Sequence, residues 1–155
     1  MRNATLCYIF KDKKVLLGLK KRGFAEGVWN GYGGKVDFDE TIEEAVIREM
    51  KEESTVVIKE FEKFAELDFI FKEKTDWNQR VHVFIADKWS GNPVETEEMT
   101  PQWFNINDLP KDKMWSDDVY WVPLVFDRKK VKATFYFADD NKTIEKHELE
   151  EVQEL

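Results

Sequence analysis

The sequence predicts an α/β fold with a mixed β-sheet, carried by a single domain over residues 1–155. Three observations point there. A length of 155 residues fits one hydrophobic core and leaves little for a second. Hydrophobic residues make up 42% of the chain, with 6 Trp, 4 Tyr and 12 Phe, which is not the composition of a disordered chain. Runs of β-branched and aromatic residues are interleaved with two segments of helical character, as layered α/β folds require.

The elements follow in order. Thr5–Phe10 and Val15–Lys20 read as strands joined by the polar turn Lys11-Asp12-Lys13-Lys14. A loop spans Lys21 to Asp39 and holds Gly23, Gly27, Gly31, Gly33 and Gly34, a crowding that signals a ligand or a tight packing corner. Thr41 with Glu44 forms a capping box that opens a helix running to about Ser54. Val56–Ile58, Phe64–Phe71 and Arg80–Trp89 read as strands, and Gly91-Asn92-Pro93 as a turn. Gln102–Phe104 is a short strand, and Ile106–Pro110 resembles one helical turn. Asp117–Arg128 has helical character, with Pro123 either in its first turns or at a kink. Lys132–Ala138 alternates as a strand does. In the tail, Thr143–Gln153, composition favours helix while Ile144, Lys146 and Glu148 alternate as on a strand.

Composition excludes several functions. A net charge of −8, from 32 acids and 24 bases, argues against a dedicated binder of polymeric nucleic acid, whose affinity comes largely from neutralising phosphates. It leaves room for a small nucleotide that arrives with a cation. The only cysteine, Cys7, permits no internal disulfide and points to a reducing, cytoplasmic setting. No apolar run approaches the ~20 residues of a membrane span. Arg2 with the short stretch Ala4–Phe10 does not make a signal peptide. His82 and His147 have no sequence partners that suggest catalysis or zinc.

The first helix carries acids on its inner face. At about 100° per residue, Ile42, Ala45 and Val46 form one stripe, Glu49 and Glu53 fall on it, and Glu52 lies at its edge. An amphipathic helix ordinarily keeps Glu on the opposite side. Carboxylates this close repel one another, burial worsens the repulsion, and cations relieve it. An all-oxygen cluster suits hard Mg²⁺ or Mn²⁺ rather than zinc.

The run from Gly34 resembles the signature of the Nudix hydrolases, G-x5-E-x7-R-E-U-x-E-E-x-G-U with U a bulky aliphatic. Gly34, Glu40, Arg48, Glu49, Met50, Glu52, Glu53 and Val56 match, and Thr55 stands where the signature has its second glycine. The resemblance implies a Nudix fold, an α/β/α sandwich with a mixed sheet and a loop–helix–loop metal site. It implies Mg²⁺ (or Mn²⁺) held by Glu49, Glu52 and Glu53, with a carbonyl of Gly33 or Gly34, one glutamate also acting as base, and Arg48 orienting the glutamates.

Lys20–Phe24, Trp29–Val36, Val81–Phe84, Gly91–Met99 and Met114–Leu124 are similar to the branch of that family that hydrolyses oxidised purine nucleoside triphosphates. That likeness implies that Asn30, Asp117 and Asp118 bind the base, that Trp115 stacks on it, and that Phe24, Phe69, Met99 and Trp121 wall the pocket. It implies contacts to the nucleotide from Thr5 and Lys20, with Tyr32, Gly33, Gly34, Lys35 and Ser116 beside them, and Glu98 joining the metal site. Gln79 departs from an apolar position of that branch. The expected reaction is Mg²⁺-dependent hydrolysis of 8-oxo-dGTP and 2-oxo-dATP to monophosphate and pyrophosphate by a monomer. The alternatives are a Nudix pyrophosphatase for normal or methylated purine nucleotides and a non-catalytic Nudix-fold binding module.

The aspartate pair has a chemistry of its own. Two adjacent carboxyls in an aromatic pocket do not both ionise, so one holds a proton. A protonated Asp donates where an ionised one only accepts, so the pair can match the edge of either oxidised base.

Overall fold

The computed structural model describes residues Met1–Leu155. Strand β1 (Arg2–Lys11) meets β2 (Lys14–Lys20) through a tight turn in which Asp12 is left-handed, and the two pair only at Phe10↔Val15 and Lys11↔Lys14. They then part. β1 runs parallel to β5 (Gln79–Ser90) from Arg2↔Gln79 to Ile9↔Ala86. β2 pairs along its length with β6 (Met99–Asn105), and at Gly18 and Leu19 with β3 (Trp29–Asn30). Beyond β5 lie β4 (Val57–Phe71), β7 (Lys130–Phe137) and β8 (Ile144–Val152); β4 is antiparallel to β5, parallel to β7, and β8 closes the edge antiparallel to β7. The sheet is therefore mixed, as expected.

Alternation along β1 and β5 builds two cores on opposite faces. Ala4 and Tyr8 of β1 and Val81, Val83 and Ile85 of β5 pack with Trp121, Val122 and Val125 of helix α2 (Asp118–Phe126). Cys7 and Ile9 of β1 and Phe84 and Ala86 of β5 pack with Val46 and Met50 of helix α1 (Ile42–Ser54). One helix on each face of a mixed sheet is the α/β/α arrangement. No helix is long and apolar enough to cross a membrane.

Several elements differ from their sequence reading. The strands expected at Val56–Ile58 and Phe64–Phe71 are one strand, β4, with register shifts at Ile58/Glu60, Glu60/Phe61 and Lys63/Ala65. Each bulge adds a residue that resets the two-residue period, so the alternation fails over 59–63 although the strand continues. β6 reaches back through Pro101; as a strand paired on one side only, it tolerates the missing N–H. The segment Ile106–Pro110 is a turn closed by Asp108 N–H on the Asn105 carbonyl (2.9 Å), and the helical turn is a 3-10 turn at Lys111–Lys113. α2 stops at Phe126, and Pro123 lies past its first turn, leaving the carbonyl of Val119 without its usual donor. The tail is strand: the edge of β7 supplies backbone partners and Leu149 packs against the core, which overrides a helix-favouring composition.

α1 begins as expected. The Thr41 hydroxyl accepts from Glu44 N–H (3.1 Å), and the Glu44 carboxylate accepts from Thr41 N–H (2.9 Å). It ends at Thr55, which is left-handed (φ 69°) with its hydroxyl donating to the Asn92 carbonyl (3.1 Å). A β-branched residue is strained there, by about 1–2 kcal/mol. Thr55→Gly is expected to stabilise the protein by up to about 1 kcal/mol after loss of the exposed hydrogen bond, read as a raised urea midpoint at unchanged slope.

Candidate active site

The segment Gly31–Val36 runs along the free edge of β1 like a strand. Cys7 N–H donates to the Tyr32 carbonyl (2.6 Å) and Tyr32 N–H to the Cys7 carbonyl (3.1 Å); Thr5 N–H donates to Gly34 (2.9 Å) and Val36 N–H to Asn3 (3.0 Å). Two glycines make this approach possible. A Cβ on Gly33 would overlap the Thr5 carbonyl, and a Cβ on Gly34 would fall 2.7 Å from the Glu49 carboxyl. The glycine crowding thus marks a packing corner where the backbone lies close against both β1 and the acidic helix. Gly33→Ala is expected to cost about 3 kcal/mol, the upper end of overpacking costs, since the obstacle is backbone. A thermal unfolding midpoint equal to wild type would refute this.

Arg48 organises the acids of α1. Its guanidinium grips Glu40 with two hydrogen bonds (Nε to Oε2 2.6 Å, Nη2 to Oε1 2.9 Å). It also donates to Glu49 (2.8 Å), Glu52 (3.2 Å) and the carbonyl of Lys35 (3.0 Å). The Arg48 hydrogen bonds hold the Glu40 carboxyl down at about 2. Such planar, forked pairing fixes geometry as well as charge. Glu53 is left without this cation. Burial, and then Glu49 beside it, push its carboxyl up to about 8. Glu98, just before β6, is bonded by Lys20 (3.2 Å) and Arg22 (2.9 and 2.8 Å).

No three His, Cys, Asp or Glu side chains converge here as a ready metal cage: Glu49 and Glu52 turn to Arg48, and Glu98 to its two bases. The donor set nevertheless fits a hard cation. Glu49 and Glu53 are close enough to repel, all the side-chain donors are oxygens, and the backbone at Gly34 lies against the Glu49 carboxyl.

Next to the helix opens a cleft of about 530 Å³ lined by Thr5, Lys20, Phe24, Asn30, Gly33, Gly34, Glu53, Phe69, Met99, Trp115, Ser116, Asp117, Asp118 and Trp121. Fourteen positions singled out in the sequence thus meet in one cavity. Arg48, Glu49, Glu52 and Glu98 stand outside its lining, and so do Tyr32 and Lys35. Tyr32 is buried beneath, against Gly18 and Cys7, with its hydroxyl unpartnered and its phenol pushed up by burial and by Glu53. Lys35 lines a separate cleft with Asn3 and Glu40. These two contribute backbone to the corner, so their side chains have no direct place in the cleft. Sequence reasoning missed Phe71, Trp77, Phe137, Asn141 and Lys142, which also line it.

The polar groups at the cleft are specifically oriented. Asn30 Oδ1 accepts from Gly31 N–H (2.8 Å) and the Tyr8 hydroxyl (3.3 Å), which leaves its amide N–H groups free to donate. Asp117 and Asp118, at the start of α2, are each 4% exposed. Asp117 Oδ2 accepts from the Trp121 indole N–H (2.7 Å), while Asp118 Oδ2 has no partner. Burial raises the Asp117 carboxyl to about 6; burial and the charge of Asp117 push Asp118 higher still. A neutral Asp118 beside a charged Asp117 offers one donor and one fixed acceptor. His82 is structural: Nε2 bonds Asn3 Oδ1 (2.9 Å), and burial lowers it to about 4.

A mixed sheet lies between two helices, with a glycine corner abutting a helix of ordered glutamates, and the NUDIX domain family matches residues 1–125. The chain belongs to the Nudix family. It is 43% identical over 151 residues to the oxidized purine nucleoside triphosphate hydrolase of Danio rerio, covering 97% of this chain and 96% of that one. Identity to the Mus musculus protein of the same name is 43% over 148 residues, covering 96% and 94%. Among solved structures, the MutT protein of Bacillus halodurans superposes with a TM-score of 0.84 at 25% identity, covering 96% of this chain and 97% of that one.

Proposed function

We propose that the protein hydrolyses oxidised purine (deoxy)nucleoside triphosphates, 8-oxo-dGTP and 2-oxo-dATP among them, to monophosphate and pyrophosphate. The observation that carries this reading is the buried pair Asp117 and Asp118, with an unpartnered Asp118 oxygen inside an aromatic cleft that also holds Lys20 and Glu53. The names of the Danio rerio and Mus musculus relatives agree with it.

Glu49, Glu52 and Glu53, with a carbonyl of Gly33 or Gly34 and with Glu98, are the residues that would hold Mg²⁺, or Mn²⁺ in its place. The cation supplies charge neutralisation at the phosphates when bound. Arg48 keeps Glu49 and Glu52 oriented through its hydrogen bonds. Glu53 is the helix glutamate that lines the cleft, and, ionised once a cation offsets its neighbour Glu49, it would accept a proton from the attacking water. The Lys20 ammonium reaches the cleft and offers a contact for phosphate. At the other end, Trp115 and Phe24 cover the flat base, while Asn30 donates and the aspartates read its edge.

The whole chain acts in this reading as one monomeric domain over residues 1–155, in the cytoplasm and without polymeric nucleic acid. Its net charge of −8 and its single, buried cysteine support that. The test is pyrophosphate release with Mg²⁺ across 8-oxo-dGTP, 2-oxo-dATP, dGTP and methylated purine triphosphates. Release led by an unmodified nucleotide sinks the oxidised-purine reading, and release from none of them supports a binding module.

A further inference from the structure

An unbroken path of aromatic rings leads from the core to the mouth of the cleft. Phe135 stacks on Phe69 (5.7 Å between centroids), Phe69 on Phe137 (6.0 Å) and Phe137 on Phe71 (4.7 Å, 6° between planes). Trp77 stands edge-on to Phe71 at 5.6 Å and edge-on to Phe24 at 6.0 Å. Phe24 in turn stacks on Trp115 at 5.7 Å.

Trp77 is firmly placed. Its backbone N–H donates to the Lys74 carbonyl (2.8 Å), and the neighbouring Asn78 ties the turn to the sheet. Asn78 Oδ1 accepts from Phe71 N–H (2.7 Å), its carbonyl accepts from Arg2 N–H (3.2 Å), and the Lys74 ammonium lies 5.2 Å above the indole. Phe24 is different. It tips a turn in which Gly23, Ala25 and Gly27 are all left-handed, whose backbone bonds are local or return to Lys20, and its residue is 71% exposed. A ring that exposed gains little from burial, so its place across the cleft is set by its aromatic partners, Trp77 and Trp115.

We propose that Trp77 is a substrate-positioning residue. It ties Phe24 to the aromatic path of the core, so that Phe24 and Trp115 close over a flat base in the cleft. This rests on the nucleotide reading of that cleft. Because Trp77 stands at the base end and Glu53 at the other, its effect falls on binding rather than on the chemical step.

The experiment compares wild type with Trp77→Ala, Trp77→Leu and Trp77→Phe. Calorimetry gives the Kd of 8-oxo-dGMP, and steady-state rates give KM and kcat for 8-oxo-dGTP. Removing the ring is expected to raise Kd and KM by about 3- to 10-fold, the range of one aromatic pair, with kcat moving far less. The Leu variant keeps apolar bulk should Ala fail to fold, and the same weakening is expected of it. Phe keeps an edge-on ring and should restore most of the affinity. Unchanged Kd in the Ala or Leu variant overturns the proposal, as does a loss that falls on kcat and is shared by Phe. If the wild type itself binds no 8-oxo-dGMP, the nucleotide reading of the cleft fails and this proposal with it.

Discussion

Glu53→Gln is expected to lower kcat by about 10²–10⁴-fold, the range of a lost general base, while the Kd of 8-oxo-dGMP stays near wild type. In the proposed reading the base and phosphate ends of the cleft are separate sets of residues, so removing one charge at the helix leaves Asn30, Asp117, Asp118 and Trp115 in place. Gln is close in size and keeps a carbonyl oxygen, so the loss tests charge and proton acceptance rather than shape. The same change is expected to stabilise the metal-free protein. Glu53 titrates near 8 in the folded chain, well above its value when unfolded. Stability is therefore lost as pH rises through the interval between those two values, because the unfolded chain releases a proton that the folded one holds. Gln carries no such dependence, so its unfolding midpoint should exceed that of wild type at pH 8 without Mg²⁺. A variant that keeps its turnover removes Glu53 from the chemistry.

The second large effect is expected at the aspartates. Asp118→Asn fixes the side chain as an amide, which cannot exchange donor for acceptor by moving a proton. Selectivity for oxidised over normal dGTP should fall by about 10- to 100-fold in kcat/KM, the cost of leaving one buried polar group unpaired. Asp117→Asn should disturb it as well, since Asp117 also holds the Trp121 indole. Both carboxyls are raised in the folded chain, Asp117 to about 6 and Asp118 further. The stability they lend is complete below about pH 4, where unfolded aspartates are protonated, and is lost as pH climbs through the folded values. Asp118→Asn should therefore flatten the fall of the unfolding midpoint between pH 5 and pH 8. If both variants keep full selectivity, the pair does not read the base.

Much of this site was legible before any coordinates. The capping box at Thr41, the acids on the inner stripe and the position of Asp117-Asp118 at a helix start are local patterns, and local patterns survive folding. What escaped was set by distant partners. The bulges of β4 hide its continuity because they break the alternation from which strands are recognised. β8 is a strand because β7 offers it an edge, which no property of Ile144–Val152 announces. Phe71 reaches the cleft from the last position of β4, Trp77 from the turn after it, and Lys142 from the turn before β8. A lone Trp among the polar residues Lys74–Asn78 was the one available signal for the second of these. The gripping of Glu40 by Arg48 spans eight residues from loop to helix, and only the resemblance linked them.

The segment Gly31–Val36, a loop by its glycines, is laced to β1 by backbone hydrogen bonds on both sides of Gly33. One end carries on from Asn30 at the base pocket, and the other abuts Glu49. In the proposed reading it is a rigid gauge between the two ends of a bound nucleotide. Its amides, those of Tyr32 and Val36 in particular, should exchange with deuterium on the slow timescale of the sheet, unlike those around Phe24. Under the proposed reaction, the scissile bond is then selected by its distance from the base, whatever number of phosphates follows it.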